Sequence, residues 1–404
     1  MKVLLLADDL TGATLDPAGL WLADVLGACR RYAHRVQAVC SAADGIPGRD
    51  APWPGLVIQR TDAHTVDLAL ADALADPPDI VHIAAPGPFN ARVLESLAEF
   101  PVVLDLHDYW PICPQFDLFQ RPHRRACAHH HPFEGCRTCT DRERLRSMDE
   151  RGVLVECARM IIARSEPHRA RIAEALGRPV ERLDYGVDPV RFSPEAAAAL
   201  SEPVRVLTAH HDRPRVIVLG PPTAARGAEL LVDLLVALAA RVPGVEMVVA
   251  GTDPDDPNRA RVLREEARAL GLSDRLVTLP VIAPGDLPAL LTSGDVGVSP
   301  GLAPEPGGLF VMQALAAGLP VVAHPSGAVE ELLSRHATGV LAEATDIARF
   351  SSAVAALLGD AVERERHADT GRLAAIEHHD LERAMFALDG LWRRVAAGPA
   401  RAAA

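Results

Sequence analysis

Lysine is nearly missing from this chain: Lys2 stands alone, and the remaining positive charge is carried by arginine. That bias suits an arginine-rich composition and by itself assigns no function. Aromatic residues make up only 4% of the 404 residues, too few to build the stacking platforms that single-stranded nucleic acids need. Acidic residues outnumber basic ones and leave a net charge of −13, which excludes broad nucleic-acid binding, since that depends on basic surface to neutralise phosphates. Any phosphate site must therefore be local. No apolar run approaches the roughly 20 residues of a membrane span, so a transmembrane segment is not expected. The amino end, Lys2-Val3-Leu4-Leu5-Leu6-Ala7-Asp8, is too short in its apolar part for a secretory leader and reads as a first buried strand. Cytoplasmic residence is the expectation.

What the chain does contain is a repeated alternation of short apolar runs and helical segments. A length of 404 residues exceeds one ordinary core and predicts two domains of roughly 200 residues each. Residues 2–7, 36–40, 56–59, 80–84 and 102–106 read as buried strands with helices between most of them, including one at 20–31. This is doubly wound α/β. Residues 109–149 break the rhythm with Pro, Cys and His, as an insertion would, and it resumes at 153–163. Ser165 caps a helix at 166–176, and Gly177 stops it. Residues 193–214 are polar and poorly periodic, as an interdomain linker is. A second alternation then gives strands at 216–220, 245–251, 276–280, 295–299, 319–323 and 339–341, with helices at 225–241, 257–270, 286–292, 348–358 and 381–395. The expected domains are 1–200, with the insertion at 109–149, then 201–380, then a terminal helical segment 381–404.

The most informative stretch is residues 294–331, GDVGVSPGLAPEPGGLFVMQALAAGLPVVAHPSGAVEE. Gly307 and Gly308 open a helix whose apolar positions Leu309, Val311, Met312, Leu315 and Ala316 recur at helical spacing, and Gly318 with Pro320 stops it. A strand, a glycine loop and a helix in that order point unpaired backbone N–H groups beyond the strand's carboxyl end, which makes an anion site. Glu305 lies in the same loop, where its carboxylate can accept hydrogen bonds from hydroxyls of a ligand whose phosphate sits on the helix. A sugar nucleotide has both features.

This stretch resembles the donor-site signature of family 4 glycosyltransferases: an acid, seven residues and a second acid, with glycines after the first and a helix ending in Gly-x-Pro-Val-Val. Here the acids' positions hold Glu305 and Gln313, so the second departs from the pattern. Ser326-Gly327-Ala328-Val329-Glu330 resembles the family's Gly-Gly-x-x-Glu turn. Leu104-Asp105-Leu106-His107-Asp108 resembles its Val-x-Thr-x-His-Asp, and Asp184-Tyr185-Gly186-Val187-Asp188 its Asn-Gly-Val-Asp strand end with Tyr185 in place of Asn. The loop Pro221-Pro222-Thr223-Ala224-Ala225-Arg226-Gly227 matches where the family has Gly-Arg and then Lys-Gly. Arg226 keeps the second cation; Pro221 replaces the first.

The resemblance implies a fold of two Rossmann-like doubly wound domains facing each other across a cleft (GT-B) and a retaining transfer of sugar from a nucleotide-sugar donor to a glycan, lipid or small-molecule acceptor. His107, Glu305 and Arg226 are its candidate catalytic residues. Gly19, Gly220, Arg226, Glu305, Gly307, Gly308, Leu309, Phe310 and Gln313 are its candidate donor contacts, with Gln313 meeting the ribose as an uncharged acceptor. For Gly19, in Asp16-Pro17-Ala18-Gly19, an ordinary helix entry is an equal reading. Asp108 either orients the His107 imidazole or caps the next turn. The chemistry calls for no metal or cofactor. Two other readings share the pattern: a sugar-nucleotide epimerase of the same fold, and a binding subunit whose catalysis Pro221 and Gln313 have degraded.

Cys113, Cys127, Cys136 and Cys139 cluster in the insertion, the last two as C-x2-C, with His129, His130 and His131 nearby. In a reducing compartment that grouping points to a structural zinc rather than to disulfides. Cys29, Cys40 and Cys157 read as core residues. His210-His211-Asp212 reads as a polar surface run.

Overall fold

The computed structural model describes residues 1–8, 10, 16–42, 47–62, 64–85, 97–129, 134–194, 200–209, 212–251, 256, 258–279 and 282–398. His130, His131, His210, His211, Pro257, Pro280 and the last six residues of the 381–404 segment lie outside that set.

The first sheet is built from β1 (Lys2–Ala7), β2 (Arg35–Ser41), β3 (Gly48–Asp50), β4 (Leu56–Thr61), β5 (Ile80–Ile83) and β6 (Val102–Asp105). A short hairpin follows, β7 (Phe119–Gln120) and β8 (Arg125–Ala126), before β9 (Met160–Ala163) and β10 (Glu181–Arg182). The strand order is β10-β9-β6-β5-β1-β2-β4-β3, parallel except for the edge pair β3 and β4. The order reverses beside β1, and the carboxyl ends of β1, β5 and β6 face one crevice, where doubly wound sheets gather their ligands. The second sheet, β11 (Arg215–Val218), β12 (Glu246–Ala250), β13 (Leu276–Leu279), β14 (Val296–Ser299), β15 (Val321–Ala323) and β16 (Gly339–Leu341), is wholly parallel in the order β13-β12-β11-β14-β15-β16. Continuous apolar runs such as Val-Val-Leu in β6 and Met-Val-Val in β12 are what a strand covered by helices on both faces requires.

Several elements differ from the sequence reading. The 225–241 helix starts later: residues 221–227 stay a loop, Ala228–Leu230 form a single 3-10 turn, and the α-helix is Leu231–Ala239. The 193–214 linker contains a helix, Glu202–Ala209, whose Val204 and Leu207 are buried and whose approach is tied by the Ser201 amide to Asp286 at 3.0 Å. The 109–149 insertion ends inside a helix, Arg142–Cys157, capped by Asp141. A further helix, Ala361–His378, precedes the last one.

That last helix, Leu381–Ala396, packs on the first domain. His34 Nε2 meets Asp389 at 2.7 Å, and Arg31 pairs with Glu382 at 2.5 Å. The crossing passes so close to residue 186 that a Cβ there would stand 2.6 Å from the Leu381 Cα, which accounts for Gly186. Tyr185, Val187 and Phe192 belong to one apolar cluster with Leu219, Leu309, Leu381 and Trp392, so the two domains share a continuous interior along this seam. Among the described residues, no helix is long and apolar enough to cross a membrane.

Candidate active site

The second domain supplies one wall. β14 ends at Ser299, and the loop that follows carries Glu305 to the cleft. Its backbone is clamped: Ala328 N–H donates to the Glu305 carbonyl at 2.8 Å, and a Cβ on Gly327 (φ 54°) would overlap that carbonyl. The Ser326-Gly327 turn therefore sets the height of Glu305. The Glu305 carboxylate stands 3.5 Å from Arg226 Nη2, and the Arg226 guanidinium lies 5.2 Å from the centroid of the Phe310 ring. Gly220 leaves room for both, since a Cβ there would come 2.5 Å from Arg226 Nη1 and 2.9 Å from Phe310. Gly220, Arg226, Glu305 and Phe310, four of the candidate donor contacts, thus lie together.

Gly308 precedes the helix Leu309–Ala316 in a left-handed conformation, and the first helical bond runs from Met312 N–H to the Gly308 carbonyl. The amides of Leu309, Phe310 and Val311 come before it, in the turn where helices leave donors without intrahelical partners. Gln313 is buried on this helix, and its amide oxygen has no hydrogen-bond partner among the described residues. Such an acceptor costs free energy unless a donor reaches it.

The first domain supplies the opposing wall. Ser165 caps the helix Glu166–Leu176, and its hydroxyl donates to the Pro306 carbonyl of the second domain at 2.6 Å. Beside it, Glu331 of the second domain accepts the Glu166 amide at 3.1 Å and pairs with Arg182 at 2.8 Å. Gly307 passes directly under Tyr185: a Cβ at 307 would overlap that ring and come 2.8 Å from the Arg164 Cβ.

Behind Tyr185 is a buried polar cluster centred on Asp105. Arg164 pairs with its Oδ1, while Trp21 Nε1 at 3.3 Å, His82 Nε2 at 3.3 Å and His107 Nε2 at 3.4 Å surround its Oδ2. The Arg164 guanidinium lies against both Trp21 and Tyr185, 4.6 and 4.9 Å from their ring centroids. Burial raises the Asp105 carboxyl, but the Arg164 charge leads the effects that outweigh it and hold the group well below the ordinary carboxylate range. For His107 burial dominates over Asp105 and lowers the imidazole, keeping it neutral. Its Nδ1 is 2.8 Å from the Tyr185 hydroxyl. Its Nδ1 is thereby engaged inside the first domain, its Nε2 faces Asp105 without hydrogen-bond geometry, and its side chain is 4% exposed. The resemblance made His107 a candidate catalytic residue; the geometry puts its ring one layer back, behind Tyr185.

Asp108 does not orient His107. Its carboxylate accepts the Trp110 amide at 2.6 Å and caps that turn, and burial pushes it up to about 8. The acid that faces His107 is Asp105, on the strand itself and 3.4 Å from Nε2. His168 fixes the same loop from the neighbouring helix. Its Nδ1 accepts the Arg164 amide at 3.2 Å, so the neutral ring donates from Nε2 to the Asp108 carbonyl at 3.0 Å; burial lowers this histidine to about 3. Gly19 is buried, with its amide donated to Asp16 at 2.9 Å, which is the helix-entry arrangement.

None of the four insertion cysteines is in a disulfide. Cys113 is buried, burial pushing its thiol up to about 11, and Cys136 and Cys139 share one turn. No group of three or more Cys, His, Asp or Glu among the described residues could hold a metal ion. The insertion also reaches the second domain, where Phe119 joins the cluster containing Ala225 and Leu302, and Arg124 pairs with Glu229.

Asp105, Arg164 and Ser165 escaped the sequence reading as site residues. The signal for Asp105 was there: an acid ending the apolar run Val-Val-Leu is costly unless it meets a buried cation. Nothing local marked Arg164 as that partner.

Comparison with known proteins places these features. Residues 204–374 match the family described as Glycosyl transferases group 1. A GDP-mannose-dependent alpha-(1-6)-phosphatidylinositol monomannoside mannosyltransferase of Mycobacterium tuberculosis is 32% identical over 201 residues, 48% of this chain and 50% of that protein. A D-inositol 3-phosphate glycosyltransferase of Nocardia farcinica is 29% identical over 308 residues, 72% of this chain and 66% of its own. The chain spans about half the length of the curated relatives it matches first. Among solved structures, a sucrose-phosphate synthase from Thermosynechococcus elongatus superposes with a TM-score of 0.77 at 18% identity, covering 98% of this chain and 99% of that one. Anabaena HepE in complex with UDP-glucose gives 0.71 at 18% identity over 98% and 100%. These likenesses establish the two-domain GT-B fold.

Proposed function

We propose that this chain is a retaining glycosyltransferase that moves a sugar from a nucleotide-sugar donor to an acceptor nucleophile. The observation that carries the reading is the convergence of Glu305, Arg226, Phe310 and the amino end of the helix Leu309–Ala316 at the seam between the domains. A cation and unpaired amides suit a diphosphate, and a carboxylate beside them suits sugar hydroxyls. The match of residues 204–374 to the group 1 glycosyl transferases supports the same assignment.

In this reading the bond from the anomeric carbon to the diphosphate oxygen breaks through an oxocarbenium-like state. The acceptor oxygen bonds on the same face, and its proton passes to the departing phosphate. Arg226 and the amides of residues 307–310 stabilise the charge developing on the leaving group. Glu305 holds sugar hydroxyls, and Gln313 offers its unpartnered oxygen to the ribose. His107 acts through Tyr185. No protein nucleophile is needed.

Incubating purified protein with UDP-, GDP- and dTDP-sugars and candidate acceptors tests the proposal. Release of nucleoside diphosphate with an axial-to-axial anomeric outcome by NMR is expected; binding and turnover of none of them sinks it. Product formed from donor alone would mark an epimerase. Pro221 beside the phosphate loop and the burial of Gln313 favour one further reading, a donor-binding subunit with little turnover. Pro221→Arg with Gln313→Glu separates the two: a large gain in turnover supports the binding subunit, and a loss supports a specialised enzyme.

A further inference from the structure

The polar chain behind His107 continues to the last helix of the protein. Trp392 is buried on that helix, and its indole N–H donates to His82 Nδ1 at 3.1 Å, with the two rings edge to face at 5.4 Å. An accepting Nδ1 puts the proton of the neutral His82 ring on Nε2, the nitrogen 3.3 Å from Asp105. The Asp105 carboxylate only accepts, so the nitrogen of His107 that faces it, Nε2 at 3.4 Å, carries that ring's proton. His107 Nδ1 is then free to accept the Tyr185 O–H at 2.8 Å. The Tyr185 ring, stacked on His107 with centroids 5.7 Å apart, fills the space over Gly307. The two outer links are hydrogen bonds, the two contacts to Asp105 between them are electrostatic and without hydrogen-bond geometry, and each histidine has one tautomer that suits both of its neighbours.

Packing alone does not ask for this. A phenylalanine at 392 would fill much of the same volume, and apolar residues at both 105 and 164 would avoid burying two charges. Burying Asp105 with Arg164 incurs a desolvation cost that ion pairing at best repays, so this arrangement is better explained by the order it imposes on His107 and Tyr185.

We propose that Asp105, His82 and Trp392 are positioning residues for glycosyl transfer: they hold His107 in its Nε2–H tautomer and thereby fix the Tyr185 ring over Gly307 at the donor-facing glycine loop. The kinetic side of this inference rests on the glycosyltransferase reading; the tautomer does not. Replacing Asp105 would strand the Arg164 charge and risks unfolding, so the variants are Trp392→Phe and Tyr185→Phe, which keep ring volume.

With the full-length chain labelled with 15N-histidine, and His107 assigned through His107→Gln, two-bond nitrogen–proton spectra at pH 7 are expected to show a protonated Nε2 and a bare Nδ1 at His107. Trp392→Phe is expected to shift the ring nitrogens of both His82 and His107, although the indole touches only the first. In turnover, each single variant is expected to lower kcat about three- to tenfold with donor KM within about twofold. The double variant should fall no further than about the worse single, because both act through one link. A protonated Nδ1 in the native protein, His107 resonances indifferent to Trp392→Phe, or single losses that multiply in the double variant would each overturn the proposal. If no nucleotide sugar is turned over at all, the glycosyltransferase reading falls, and the nitrogen spectra still decide the relay.

Discussion

The hydroxyl of Ser165, at the amino end of a first-domain helix, donates to the carbonyl of Pro306 in the second domain at 2.6 Å. The same oxygen accepts the His168 amide at 3.2 Å, so one atom caps the helix and ties it to the residue before the glycine pair. Ser165→Ala removes both contacts. The expected loss is about 1–2 kcal/mol in chemical denaturation, together with weaker donor binding by calorimetry. Ser165→Asp, which caps but cannot donate to Pro306, should recover the cap and not the donor affinity.

Arg226→Ala should lower kcat/KM for a nucleotide sugar by about 10²- to 10³-fold, the size of losing one preorganised contact to a developing charge. Arg226→Lys should recover only part of it, since an ammonium lacks the planar fork and the stacking on Phe310. Glu305→Ala should abolish transfer with little change in melting temperature; if steady-state assays show transfer intact, the site is misassigned.

Gly307→Ala presses a methyl group into the Tyr185 ring and the Arg164 side chain. Overpacking of that kind costs about 1–3 kcal/mol. A melting curve lowered accordingly is expected, and Gly307→Ala combined with Tyr185→Ala should recover part of the loss. No recovery would mean that Tyr185 is not the obstacle.

Two buried groups give opposite pH signatures. His168 has a folded value lowered by burial to about 3, so the unfolded chain binds the extra proton between there and the ordinary 6.5. Its contribution is complete above pH 6.5 and is lost as pH falls toward 3. Asp108 has a folded value raised by burial to about 8, so the folded state keeps a proton that the unfolded chain releases near 4. Stability therefore declines as pH rises through that window. Asp108→Asn keeps the oxygen that accepts the Trp110 amide. It should match the native protein near pH 4 and melt higher at pH 8 in scanning calorimetry.

The cysteine insertion supports one direct measurement. Among the described residues no three of Cys113, Cys127, Cys136 and Cys139 come together as a ligand set, so a structural zinc needs a closer arrangement than this one, and about one equivalent of metal by elemental analysis of the purified protein would establish it. Metal-free protein with all seven thiols titratable after denaturation ends that reading.

Much of this molecule is written locally. Buried parallel strands announce themselves as short apolar runs. The glycine pair, the Gly318-Pro320 stop and the spacing from Glu305 through Gln313 located the helix Leu309–Ala316 and the loop that carries Glu305 to the candidate site. Arg226 was legible because its loop sits at a strand's carboxyl end. Those features depend on neighbours a few residues apart, and backbone geometry enforces them wherever the sequence occurs.

Other decisions needed the folded chain. His107 was found by its place after β6, but its role turned on Asp105, Arg164 and Tyr185, of which the last two are 57 or more residues away in the chain. The loop at 221–227 outlasted its helical composition because it packs against Ala303 and Leu302 through backbone bonds from those residues to Ala225. The sequence alone determined which residues are apolar and where the chain must turn, and it placed the glycine loop at the start of the helix Leu309–Ala316. Which buried acid meets which cation, and which histidine nitrogen carries a proton, was decided by tertiary structure, because electrostatic pairing in a dry interior depends on distance in space and not on separation in sequence.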